Sequence, residues 1–170
     1  MFRGWDNFYI IVGSSAGALI GVIFIVATLT AGLETSRASR GARLYITPIV
    51  FHFVIVVIVS AISAVPDLPA GAVGVMLAFC AFSGLAYTAT TTMGMFSIKG
   101  QDEPDRSDKL FYCVLPIIAY LGLAGATAAV WLAPGIAALA IGAMMLFLLL
   151  LGIRNAWDLA TFLIQHRPLP

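Results

Sequence analysis

Between Leu110 and Ile153 the chain runs for forty-four residues without a charged side chain. Three more charge-free runs cover 7–33, 44–66 and 68–98, and the seventeen charged residues are confined to the short segments between and around them. Water-soluble folds do not tolerate such runs, because a domain of this size carries ~25% charged residues and this chain carries 10%. The hydrocarbon core of a bilayer is ~30 Å thick, which a helix crosses in ~20 residues. The run from 110 to 153 is twice that length and contains Ala133-Pro134-Gly135, a turn signal that divides it. The expected architecture is therefore an all-α integral membrane protein, a bundle of five transmembrane helices forming one membrane domain. The spans fall at about 7–33, 44–66, 69–98, 110–132 and 135–153, with an amphipathic extension over 154–165. A membrane β-barrel would require ~10-residue segments of alternating polarity, which are absent. Runs such as Val54-Ile55-Val56-Val57-Ile58-Val59 have strand propensity, yet in lipid only a helix satisfies its own backbone.

Orientation follows from the short connections. Arg37, Arg40, Arg43, Lys99, Arg106, Lys109, Arg154 and Arg167 fall on one side and Arg3 alone on the other. The positive-inside rule then places the N-terminus outside and the C-terminus in the cytoplasm of a cell membrane, the inner membrane in a bacterium. Trp5 and Trp131 mark the outer boundary, and Tyr45, Tyr112 and Trp157 the inner one. The first run is too long for a signal peptide and lacks a small-x-small cleavage site, so the first helix is expected to persist.

Gly13, Gly17 and Gly21 recur every four residues among Ser14, Ser15, Ala16 and Ala18. They share one helix face and form a groove that another backbone can approach closely. This predicts a helix-packing seam, within the chain or between copies.

Polar groups inside the spans are few. His52, Thr88, Thr91, Thr92 and Tyr112 lie toward the cytoplasmic half, where Arg154, Asn155 and Asp158 close the last span. Together they are expected to line a polar recess open to the cytoplasm and able to receive an ion or small ligand. Arg154 and Asp158 are spaced to pair on one helix face. The competing expectation is an emerging helix anchored by Trp157, with Phe162 and Gln165 further along it. His52 has three readings: a polar residue bonded to a neighbouring helix, a proton-transfer group, or a haem ligand. The haem reading lacks a second in-span histidine, because His166 is terminal. Arg37, Arg40 and Arg43 are candidate contacts for anionic lipid head groups. Ser107 is the expected cap of the fourth helix.

Cys80 and Cys113 sit in separate apolar runs and read as small buried hydrophobes. The four carboxylates of the 99–109 segment lack the ligand positions and glycine of a calcium loop. No catalytic or phosphate-binding motif occurs, and no cofactor or metal is expected. A net charge of +1 gives no basis for nucleic-acid binding. The expected partners are the lipid bilayer and either another copy or another membrane protein. The leading functional expectation is a self-associating or complex-forming packing module. A small channel or carrier using the polar recess is the alternative, and a membrane-bound redox protein a further one.

Overall fold

The computed structural model describes residues 2, 4–30, 36–98 and 104–165, with side chains at 2, 4–28, 45–98 and 104–161. Every regular element among them is helical. Helix α1 spans Asp6–Thr30, α2 Ser36–Ala64 and α3 Ala70–Ser97. Helix α4 runs over Arg106–Leu132 and α5 over Pro134–Gln165. All five are long and apolar enough to cross a membrane. Helix α5 continues unbroken through the region expected as an extension over 154–165.

The breaks have local causes. Ala133 leaves helical geometry at φ −150° and ψ 63°, as a residue preceding proline is biased to do, and Pro134 then opens α5 with its φ already set. Between α2 and α3, Asp67 turns the chain at φ 54°, a left-handed conformation that Asp tolerates better than most residues. The N-terminus of α4 departs from expectation. Asp105 caps it, accepting from the Asp108 amide at 2.7 Å, and Ser107 lies inside the first turn.

Successive helices alternate in direction, so the bundle has two ends. The turn end carries Asp6, the α2–α3 turn and the α4–α5 turn. The polar end carries the start of α4 and the Arg154 region of α5. Helix α2 is the hub, packed against α1, α3 and α5, while α4 joins α3 to α5. Over its apolar span α2 is 56% buried and α1 only 17%, so α1 lies on the periphery.

Small residues let neighbouring helices approach closely, so that shape complementarity joins them. Here the device is glycine. A Cβ on Gly74 would fall inside the ring of Trp131, and one on Gly84 inside the ring of Tyr120, which locks α3 to α4. A Cβ on Gly122 of α4 would strike the Met144 sulfur of α5. On α5, the Cβ position of Gly142 lies 2.9 Å from the Phe8 ring of α1, and that of Gly152 2.5 Å from the Phe53 ring of α2. In each pair a missing side chain on one helix makes the hole for a large one on its neighbour.

Candidate functional site

Helix α4 starts with one α-turn over Arg106–Lys109, widens to a π-turn over Leu110–Val114, and resumes as α-helix at Leu115. Pro116 explains the widening. In an α-helix the Phe111 carbonyl would accept from the Leu115 amide, but that N–H goes to Leu110. In a π-register its donor would be residue 116, which is proline and has no N–H. Neither the α-register nor the π-register donor is thus available to the Phe111 carbonyl, and the buried Asn155 of α5 supplies one. Its Nδ2 donates to Phe111 O at 3.1 Å.

The remaining groups gather around this bond. The Tyr112 hydroxyl donates to the Asn155 carbonyl at 3.2 Å. Arg154 lays its guanidinium over the Phe111 ring, 3.5 Å from the centroid, and donates to Ser107 Oγ at 3.0 Å. The same guanidinium approaches Asp158 at 3.6 Å, a half-exposed i, i+4 pair of the kind that contributes little by itself. Tyr45 of α2 packs edge-on to Tyr112 at 5.0 Å and donates to Asp108 Oδ2 at 3.1 Å. Three helices, α2, α4 and α5, are tied together at the polar end.

His52 is elsewhere. It lies in mid-bundle, 1% exposed, with Nδ1 2.8 Å from the Tyr120 hydroxyl and Nε2 buried without a partner. Next to it Phe51 stacks on Tyr87 of α3 at 4.1 Å. Thr88 follows Tyr87 and is also buried with its hydroxyl unpaired. Thr91 donates back to the Tyr87 carbonyl, and Thr92 adjoins the Cys113 thiol. The residues expected to share one recess therefore divide. Tyr112, Arg154, Asn155 and Asp158 form the polar-end cluster, and His52 pairs with Tyr120 at the centre of the bundle.

The glycine series divides as well. Gly13 faces α2, its Cβ position 2.8 Å from Ser60 Cβ, whereas Gly17 and Gly21 have nothing within 4 Å. Both cysteines are buried and free. The side chains of Arg37, Arg40 and Arg43, with those of Phe162, Gln165 and His166, fall outside the described residues.

No family model, curated protein or solved structure matches the chain.

Several contributors escaped the sequence reading. Tyr120, Phe111 and Asp108 belong to the polar pairs, but nothing in their local spacing says so. Pro116 was the available signal: a proline ten residues into a helix leaves carbonyls one turn earlier in need of an outside donor.

Proposed function

We propose that the chain is a packing module of a cell membrane, crossing the bilayer five times with its N-terminus outside, and that it associates through the outer face of α1. The observation that carries this reading is the open state of Gly17 and Gly21. Five glycines elsewhere in the bundle receive a neighbour's side chain, whereas these two, one turn apart on the least buried helix, receive none. Ser14 and Ala18 are exposed beside them. A small-residue stripe facing lipid offers poor contact to acyl chains and close contact to another helix. Gly125 of α4 is also open but isolated, with exposed Leu121 one turn before it. At the polar end the side chains are engaged with one another, which suits a rigid tie between helices better than an open recess. The test is native mass spectrometry of the detergent-solubilised protein, with crosslinking in membranes. An oligomer that Gly17→Leu converts to monomer is expected, and a native monomer, or an oligomer indifferent to Gly17→Leu, overturns the reading.

A second reading, a small carrier or channel, draws on the unpaired Nε2 of His52 and hydroxyl of Thr88 at mid-depth, because polar groups there are costly without a partner. Ion and small-solute flux into proteoliposomes tests it. Flux that His52→Ala abolishes is its expected result, and absence of flux removes it.

A further inference from the structure

Helix α2, the hub of the bundle, turns a polar side chain inward about every two turns. Tyr45 reaches Asp108 at the polar end, His52 reaches Tyr120 in mid-bundle, and Ser60 lies against the Gly13 position of α1. One turn further, Ser63 adjoins the Tyr9 hydroxyl toward the turn end. At ~1.5 Å per residue, His52 is roughly 10 Å along the axis from Tyr45 and roughly 12 Å from Ser60. From Tyr45 to Ser63 the row covers roughly 27 Å, nearly the hydrocarbon thickness of a bilayer.

Around the middle of this row lies unused hydrogen-bonding capacity. His52 and Thr88 are each 1% exposed and Ser60 2%, yet His52 Nε2 and both hydroxyls have no hydrogen-bond partner. His52 and Thr88 flank the same ring. Nδ1 of His52 is 2.8 Å from the Tyr120 hydroxyl, and Thr88 lies one turn along α3 from Gly84, which seats Tyr120. Other hydroxyls, Ser15, Ser83, Thr90 and Thr127 among them, fold back onto a carbonyl three or four residues earlier. Thr88 and Ser60 do not, although burial without a partner is costly.

We infer that the species this chain transports is the proton, carried through the bundle on His52. The inference rests on the carrier or channel reading above and names its substrate. A metal cation or an anion requires a shell of ligands or an opposing charge, and the charge-free runs bring no charged side chain to this depth. The titratable groups around the pair are Tyr87 and Cys80 of α3, which adjoin Tyr120, and α1 and α5 bring none to this depth. A larger solute requires space, and His52, Thr88 and Tyr120 are too closely covered to leave it. A proton needs neither, because a ring nitrogen holds it. Taken up at Nε2, it makes an imidazolium whose Nδ1–H is donated to the Tyr120 oxygen, and loss of a proton from either nitrogen restores the neutral ring. The gaps of roughly 10–12 Å to Tyr45 and Ser60 each correspond to about four hydrogen bonds of ~2.8 Å through transient waters, with hydroxyls at both far ends able to donate and accept.

The test uses the whole protein in liposomes loaded with a pH-sensitive dye. A potassium gradient with valinomycin sets the membrane potential, and entry of labelled sodium and glycerol is followed in parallel. Proton entry driven by the potential is expected, with sodium and glycerol entering no faster than into protein-free vesicles. His52→Leu and His52→Gln are both expected to return proton entry to the protein-free level, because Gln keeps a polar side chain at the site but takes up no proton. Thr88→Val is expected to slow it about threefold or more, the worth of one hydrogen bond. Gly125→Ala, which meets nothing, is expected to leave it unchanged. Proton flux that His52→Gln retains overturns the inference. Sodium or glycerol flux that depends on His52 without proton flux also overturns it and leaves the carrier reading standing, whereas absence of all flux removes both.

Discussion

Replacing Asn155 with Leu keeps a side chain of similar size at the α4–α5 contact and removes the Nδ2 donor. The Phe111 carbonyl then loses its Asn155 donor with neither regular helical donor to replace it, because Leu115 N–H is bonded to Leu110 and residue 116 is proline. Interhelical hydrogen bonds in membranes average ~0.6 kcal/mol and reach ~1.7, since the separated helices find other partners. A buried carbonyl left bare costs about 1–3 kcal/mol. The Asn155 bond belongs toward the upper end of the first range, because Phe111 has no substitute donor within α4. The expected loss is about 1–2 kcal/mol, roughly 5- to 30-fold in the unfolding equilibrium. Reversible unfolding in mixed micelles, followed by circular dichroism against the mole fraction of denaturing detergent, measures it. The decisive arm adds Pro116→Ala, which returns an N–H to α4 and gives the Phe111 carbonyl a local donor. In the Asn155→Leu background this second change is expected to recover at least ~0.5 kcal/mol more than it does in the parent. If Asn155→Leu leaves stability unchanged, or the two substitutions act additively, the account of the π-turn is wrong.

Two further outcomes follow from the same packing. Gly84→Val and Gly152→Val each force a side chain into space held by Tyr120 or Phe53 and are expected to cost about 1–3 kcal/mol, whereas Gly125→Ala, which meets nothing, is expected to change stability by no more than ~0.5. Thermal unfolding in detergent compares them, and equal effects at the three sites would contradict the knob-and-hole description. Tyr120→Phe removes the hydrogen bond between the Tyr120 hydroxyl and His52 Nδ1 and is expected to cost about 1–3 kcal/mol, more than the double change His52→Leu/Tyr120→Phe, which leaves neither partner of that bond bare. Additive effects in that cycle would show the pair to be uncoupled.

The polar-end residues illustrate how far local spacing reaches. Arg154 and Asp158 were legible as a pair, because i and i+4 share a face in any helix, and they lie 3.6 Å apart. The importance of Asn155 between them was not legible. Which face of α5 turns inward depends on where α2 and α4 pack, and burial of Asn155 depends on a carbonyl freed forty-four residues earlier by Pro116. The glycines make the same point. The regular series Gly13, Gly17, Gly21 is conspicuous, yet of the three only Gly13 meets a neighbouring helix, and the glycines that receive large side chains are Gly74, Gly84, Gly122, Gly142 and Gly152, whose partners lie on other helices.

The amino-acid sequence alone determined that this chain forms five long apolar helices and, through Pro134 and the charged segments, where they break. Those outcomes are local: a helix bonds its own backbone, and apolar length and prolines act within a few residues. Only the tertiary structure decided that His52 meets Tyr120, that Asn155 serves Phe111, and that Gly17 and Gly21 remain open while Gly74, Gly84, Gly122, Gly142 and Gly152 are filled. Such pairings depend on the rotation of each helix about its axis and its shift along it, which are set by contacts between side chains distant in sequence.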